Sequence, residues 1–154
     1  MADNYVTNAG SGGNTFAADD ISSVFYARVK RSFGRDGIAA DVGTGFRLIS
    51  AASTNATSLK ASAGTLYALH VVNLNAAVRY LKFYNKASAP TVGTDTPVAT
   101  FPIPASTTGA GFTINLDPGF DFATGIAYAT TTGAADSDTG AVAANEIFVV
   151  GVYV

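Results

Sequence analysis

The chain has 154 residues, of which 48% are hydrophobic and only 13% are charged. Soluble globular proteins typically have about 25% charged residues, so the surface of this protein is poor in charge. The net charge is −2, which argues against a dedicated nucleic-acid-binding protein, because such proteins are normally basic. The absence of cysteine excludes disulfides, thiolate chemistry and the usual cysteine-containing zinc sites.

Targeting and membrane-spanning segments are not expected from the sequence. No Lys or Arg precedes Arg28, so the basic start of a secretory signal is missing. The longest apolar run, Ile147–Val154, is far shorter than the ~20 residues that a membrane helix needs. We therefore expect a soluble protein, made in the cytoplasm of its producing cell, whose apolar residues are buried in a core, against another subunit, or both.

Residues 1–20 are predicted to form an N-terminal arm. They include the glycine-rich stretch Asn8–Asn14, which is polar and has no hydrophobic period. Such a segment cannot offset the entropy of ordering by burying apolar surface on its own. Two interpretations stay open, a frayed terminus or an arm that becomes ordered on a neighbouring subunit. In the second interpretation Tyr5, Val6 and Phe16 are the anchors.

From Ser23 onward the sequence predicts short strands, because β-branched and aromatic residues recur between turn signals. The predicted strands are Ser23–Lys30, Phe46–Ala51, Asn55–Lys60, Thr65–Asn73, Val78–Lys86, Phe112–Leu116, Gly125–Thr132 and Glu146–Val154. No long window has the hydrophobic period of a helix.

The connections are predicted from their turn residues. Asn73–Ala77 is interpreted as a hairpin connection, and Asp117-Pro118-Gly119 as a turn that ends the preceding strand. The three prolines of Pro97–Pro104 allow only an edge strand or an extended segment. Ala134–Asn145 is predicted to be a long loop.

Eight or nine short strands at this spacing indicate an all-β fold. We predict a single antiparallel β-sandwich, jelly-roll-like, over residues 21–154, with a flexible N-terminal arm over residues 1–20. An immunoglobulin-like sandwich is the alternative, although the chain has no Trp and no Cys pair to support it.

Catalytic and metal-binding patterns are weak throughout. His70 is the only histidine and lies in an apolar strand, so a metal site or a catalytic triad lacks partners. Asp136–Gly140 resembles the start of a calcium loop, but Gly140, Ala141 and Ile147 stand where that loop needs an acid or Asn, a Gly and a Glu. Asp138 also begins the Asp-Thr-Gly-Ala tetrapeptide of aspartic proteases, in a polar setting that instead favours an Asx turn in a surface loop. We expect no enzymatic activity, no metal and no cofactor.

Basic residues are concentrated near the N-terminus. Five of the nine Lys and Arg residues fall within residues 28–47, whereas residues 87–154 contain six acids and no base. A solvated basic strand end is one interpretation, docking against acidic loops of a neighbour is the second, and nucleic-acid contact is the least favoured because of the net charge. The candidate partner-binding residues are Tyr5, Val6, Phe16, Arg28, Lys30, Arg31 and Arg35.

The segment Asp20–Lys30, followed by Gly34-Arg35-Asp36-Gly37, resembles a segment recurrent near the start of tailed-bacteriophage virion proteins. It contains Val-x-Tyr-x-Arg-Val-Lys after an acid, and then Gly-x-Asp-Gly. Further similar segments are Lys60–Tyr67, Lys82–Ala87, Ala89–Pro97 and Gly125–Ala129. The resemblance extends over residues 20–154, implies a virion structural protein, and brings no catalytic residues.

From the resemblance and the composition we expect a capsid decoration (cement) protein that binds the outside of the head shell and stabilises it through inter-subunit contacts. Its expected partners are the major capsid protein and further copies of itself, as a homotrimer, without nucleic acid or membrane. The alternative is a neck, tail or fibre module that binds a host surface glycan or protein. The candidate sugar-stacking residues for that alternative are Tyr67, Tyr80, Tyr84 and Tyr128.

Overall fold

The computed structural model describes residues 43–154, together with three short strands nearer the N-terminus for which only the backbone is described. The chain divides into two compact units, Met1–Gly37 and Ile38–Val154.

The first unit contains an antiparallel sheet with the strand order β1-β2-β3. Its strands are β1 (Asn4–Val6), β2 (Thr15–Ile21) and β3 (Val24–Ala27). In this sheet the backbone of Tyr5 pairs with that of Phe16. The segment predicted as an arm, residues 1–20, therefore contains β1 and all but the last residue of β2. The role of this segment in binding a neighbour stays a prediction.

The second unit is built from two four-stranded antiparallel sheets. Its strands are β4 (Thr44–Ile49), β5 (Thr57–Lys60), β6 (Gly64–Asn73), β7 (Arg79–Asn85), β8 (Ala99–Ile103), β9 (Ala110–Phe122), β10 (Ile126–Thr131) and β11 (Ile147–Tyr153). The β6 sheet has the order β4-β11-β6-β9, and the β7 sheet has the order β5-β10-β7-β8.

The connections between these strands define a jelly roll. Only β7 and β8 are consecutive strands of the same sheet, and every other connection from β4 to β11 crosses between the two sheets. Two sheets of four strands linked in this way are the double Greek key of jelly-roll domains. The predicted all-β antiparallel sandwich is confirmed. Within the described residues, no helix is long and apolar enough to cross a membrane.

The core lies between the two sheets and follows the two-residue period of the strands. Alternate residues of β6 and β11 point inward from one sheet, and those of β7 and β10 from the other. The buried side chains include Leu66, Leu69, Val71, Ile147 and Val149 from the β6 sheet, and Leu81, Phe83, Ile103, Ile126 and Tyr128 from the β7 sheet.

The predicted hairpin at Asn73–Ala77 is wrong, because β6 and β7 belong to different sheets. The segment crosses one end of the sandwich, and the fully buried side chain of Asn73 holds it there. Asn73 Nδ2 donates to the carbonyl oxygens of Ala77 at 2.9 Å and Pro104 at 3.1 Å, while Asn73 Oδ1 accepts the amide of Asn75 at 2.8 Å. Asn residues of this kind favour turns locally, but they do not determine which strands a turn connects.

The predicted end of a strand at Asp117-Pro118-Gly119 is also wrong. Strand β9 continues through these residues to Phe122, because β6 pairs with β9 both before and after them. Between the Leu66–Phe120 and Ala68–Asn115 pairs, the single residue Tyr67 faces residues 116–119, so the turn-forming residues form a bulge.

Two other predictions are confirmed. The proline-rich segment contains β8, which is an edge strand of the β7 sheet. Ala134–Asn145 is a loop, as predicted.

Candidate interaction surface

The outward-facing side of the β6 sheet is the main candidate surface for binding. Cross-strand pairing arranges its side chains in three rows, which we call the open face. Taken from β4 across β11 and β6 to β9, the first row is Ile49, Phe148, Val72 and Gly111. The second row is Arg47, Val150, His70 and Thr113, and the third row is Gly45, Val152, Ala68 and Asn115.

The open face is apolar and accessible at its centre. Val150 is 48% exposed, Ile49 41% and Val152 37%, and Arg47 carries the only formal charge in the three rows. An antiparallel sheet with one solvated side usually alternates apolar and polar residues. Strand β11 does not alternate, because its sequence Ile-Phe-Val-Val-Gly-Val-Tyr is apolar on both sides. The open face is therefore an exposed apolar patch, and patches of this kind are candidate binding surfaces.

The outward-facing side of the β7 sheet is, in contrast, covered by the protein's own loops. Tyr84, Ala127 and Ala129 are at most 1% exposed and form a second apolar cluster. Val92, from the loop 86–98, and Ala56 pack against this cluster. All six residues of β10 are buried as a result, so this sheet has little surface left to offer a partner.

The loop 132–146 is fixed over the β7 sheet by polar contacts. The fully buried Lys82 donates from Nζ to the carbonyl oxygen of Ala135 at 2.6 Å. Asp138 Oδ1 accepts the amides of Gly133 at 3.0 Å and Gly140 at 3.1 Å. The second of these bonds closes an Asx turn, which confirms the interpretation of this stretch as a structured surface loop.

The Tyr84 hydroxyl is the one buried side-chain polar atom without a hydrogen-bond partner among the described residues. Burial raises the pKa of Tyr84, and the negative charges of Asp136 and Asp95 raise it further. A buried hydroxyl that loses its bonds with water costs roughly 1–3 kcal/mol. We therefore expect Tyr84→Phe to raise the free energy of unfolding by about 1 kcal/mol in urea titrations.

Tyr153→Phe is the matched control for that variant. The Tyr153 hydroxyl donates to the carbonyl oxygen of Leu59 at 3.1 Å, so its removal should lower the free energy of unfolding by about 1 kcal/mol. Equal losses in the two variants would contradict the expectation, since they would mean that the Tyr84 hydroxyl is bonded in solution.

A groove lies along the β9 edge of the open face. It has a volume of about 470 Å³ and is lined by His70, Val72, Leu74, Gly111 and Thr113, among others. His70 is exposed, and its Nδ1 lies 2.8 Å from Thr113 Oγ1. Because the polar side chains of the groove are one imidazole and the hydroxyls of Thr108 and Thr113, with no charged group, the groove suits an apolar side chain of a partner better than a charged ligand.

A second hollow of about 480 Å³ opens near the β6–β9 bulge. It is lined by Thr65, Asn85 and Asp121, and Thr65 Oγ1 donates to Asp121 Oδ1 at 2.6 Å. Tyr67, 40% exposed, lies beside Gly119 in the same region. A carboxylate, an amide and an exposed aromatic ring can together bind a hydroxyl-rich ligand.

The candidate partner-binding residues of the sequence analysis all precede the two-sheet unit. Tyr5, Val6 and Phe16 lie in β1 and β2, where only the backbone is described. The basic residues Arg28, Lys30, Arg31 and Arg35 lie outside the described residues. Among the candidate sugar-stacking residues, Tyr84 and Tyr128 are buried and therefore unavailable, whereas Tyr67 is exposed and Tyr80 partly exposed.

Sequence reasoning missed the open face. Its signal was present in β11 and in β6, both of which are apolar on two faces. Two-sided apolar strands also occur in fully buried sheets, so the pattern alone does not identify which strands leave a side exposed.

Metal-ligating side chains are not clustered in the part of the chain that the structure describes. No group of three or more His, Cys, Asp or Glu side chains in this part of the chain is placed to hold a metal ion. Comparison with known proteins adds no identification: no protein-family model, no curated protein and no solved structure matches this chain.

Proposed function

We propose that this protein is a bacteriophage capsid decoration (cement) protein that binds the outside of the head shell and stabilises it through inter-subunit contacts. The observation that carries the proposal is the difference between the two outer sides of the sandwich. One is sealed by the protein's own loops, and the other leaves Ile49, Val150 and Val152 exposed. The resemblance of residues 20–154 to virion proteins supports the same class.

A decoration protein works by adding contact area between the proteins of the shell. In this proposal different parts of the chain make different contacts. The arm, through Tyr5, Val6 and Phe16, and the basic residues Arg28, Lys30, Arg31 and Arg35 are proposed to contact the major capsid protein. The open face is proposed to be covered by a protein partner. Each copy needs to contribute only a few kcal/mol, because many copies act together on one shell.

The test is to compare shells that carry the protein with shells that lack it. We expect shells without the protein to break at lower temperature and lower internal DNA pressure, and we expect purified protein added back to restore both. Counting copies on a purified particle supplies the second measurement, since hundreds of copies indicate the shell. Equal resistance of complete and deficient shells would rule out the cement function.

The alternative function, a neck, tail or fibre module that binds a host glycan, is favoured by the hollow at Thr65, Asn85 and Asp121 beside Tyr67. A glycan array with the purified protein tests it. Binding that is lost in both Asp121→Asn and Tyr67→Ala, together with a handful of copies per particle, would favour this function over the shell. Absence of binding on the array would contradict it.

A further inference from the structure

The sandwich has four edge strands, and three of them have features that hinder pairing with a further strand. An edge strand carries backbone N–H and C=O groups that are unpaired on one side, and short length, charges and prolines keep other chains from adding to it. Strand β5 has only four residues and ends in Lys60, and β8 has five residues that include Pro102. Strand β4 carries Arg47. These three edges are therefore poor sites for an added strand.

Strand β9, the fourth edge strand, lacks these features over its first six residues. The stretch from Ala110 to Asn115 contains no charge and no proline, and it pairs with β6 residue by residue without a bulge. Within the described residues, its other side has no strand partner. Its backbone groups on that side can therefore form a hydrogen-bonded ladder with an incoming strand.

The inward-facing side of β9 is incompletely covered. Phe112 and Ile114 are only partly buried, although their partners on β6, Val71 and Leu69, are at most 1% exposed. The ring centroid of Phe112 lies 6.1 Å from that of Phe101 on β8, and Phe101 is partly buried as well. An added strand would therefore bury apolar surface here in addition to forming backbone hydrogen bonds.

The groove beside β9 offers a site for one side chain of the added strand. Gly111 lines this groove without a side chain of its own, and a Cβ atom there would collide with the carbonyl oxygen of Val71. Val72, next to Gly111 in the first row of the open face, and Leu74 supply apolar surface around it. An aromatic residue opposite an edge glycine can cover that glycine and pack against the neighbouring strand.

We propose that the edge of β9 from Ala110 to Asn115 binds an extended segment of another protein, which continues the β6 sheet as an additional strand. Backbone hydrogen bonds give the affinity, and the groove selects a segment with an aromatic side chain opposite Gly111. The residues that pair with Phe112 and Ile114 are apolar, because they face the core. This binding does not depend on the cement function, since it follows from the sandwich alone.

Selection from a library of random peptides is the first experiment. Peptides of about ten residues, displayed on yeast and selected against the full-length protein, are long enough to span this edge. We expect the binders to alternate, with apolar residues on one side and an aromatic residue at one fixed position on the other. Replacement of that aromatic residue by alanine in the synthetic peptide should weaken binding at least about tenfold, as measured by fluorescence anisotropy.

N-methylation of the selected peptide tests whether it binds as a strand. The backbone N–H groups of a strand point alternately to its two sides, so methylation at alternate positions removes the bonds to β9, and methylation at the intervening positions leaves them intact. We expect the first of these matched peptides to bind about fivefold more weakly for each bond removed and the second to bind like the parent peptide. Amide hydrogen exchange should also show new protection within Ala110–Asn115.

Two variants of the protein locate the peptide. Val72→Asp places a carboxylate in the apolar groove and should weaken binding of the selected peptide at least about tenfold. Val150→Asp is the matched control, because Val150 lies on the same open face but on β11, which β6 separates from β9. We expect this control to bind the peptide like the wild type, and thermal unfolding checks that both variants are folded.

Three results would overturn the inference. Selected peptides could fail to bind the wild-type protein in solution, or the two N-methylated peptides could bind equally well. Val150→Asp could also weaken binding as much as Val72→Asp, which would place the peptide across the open face. The peptide experiments use the wild-type protein, so they decide the question even if Val72→Asp does not fold. The stability of shells is measured separately, in the particle experiment.

Discussion

Replacement of Phe83 by alanine is expected to lower the free energy of unfolding by roughly 3–5 kcal/mol, as measured in urea. Phe83 is 1% exposed and lies at the centre of the core. Its ring centroid is 6.2 Å from that of Phe101, 6.1 Å from that of Phe122 and 6.3 Å from that of Tyr128. Because Phe122 belongs to the β6 sheet and the others to the β7 sheet, a cavity at this position removes contacts across both layers.

Phe83→Leu is the control for this variant. Leucine keeps most of the apolar volume and loses the aromatic edge contacts, so we expect less than half of the loss caused by alanine. A loss below about 1 kcal/mol for Phe83→Ala would mean that the core closes around the missing ring. That result would contradict the close packing between the two sheets.

Replacement of Arg79 by methionine is expected to cost about 3 kcal/mol at neutral pH, because it leaves a buried carboxylate without its counter-charge. Glu146 is 5% exposed and immediately precedes β11. Its Oε1 accepts from Arg79 Nε at 2.6 Å, and its Oε2 accepts from Asn75 Nδ2 at 2.6 Å. This cluster ties the crossing at residues 74–78 to the last strand.

The pH dependence of the same variant is a second measurement. Burial alone would raise the pKa of Glu146, but hydrogen bonds from Arg79 and Asn75 and the charge of Arg79 hold it below its usual value of 4.5. In the wild type the ionised Glu146 carboxylate therefore stabilises the fold at pH values above 4.5. This contribution is lost as the pH falls through the lowered pKa of Glu146. In Arg79→Met the deficit should shrink on acidification, because a protonated Glu146 needs no counter-charge.

The double variant Arg79→Met with Glu146→Gln is the control. It removes both charges and keeps an amide that can bond with Asn75, so we expect it to recover most of the stability lost in Arg79→Met. A deficit in Arg79→Met that is the same at every pH would contradict a charge-based cause.

Strand identity could be predicted because it depends on local chemistry. Seven of the eight predicted strands correspond to described strands of the sandwich, from β4 at Thr44–Ile49 to β11 at Ile147–Tyr153, although their ends shift by a few residues. The edge position of β8 followed from prolines that cannot donate to a ladder. The candidate surface could not be predicted in this way, since the open face needs the register of four strands, no two of which are consecutive in the chain.

Strand β7 is the clearest case in which the burial of a strand face does not follow from the local sequence. Lys82 and Tyr84 alternate with Leu81 and Phe83, which predicts a polar, exposed side and an apolar, buried side. In the structure both sides are buried, because two loops cover the outer one: the loop that directly follows β7 contributes Val92, and a loop about 50 residues further along the chain contributes Ala135.

The sequence by itself determined that this protein is made of short strands, since period, turn residues and composition are properties of neighbouring positions. The tertiary structure alone decided which sides of those strands are covered. Lys82 became buried and Val150 became exposed because coverage depends on where distant loops and strands pack, and that information is spread over the whole chain.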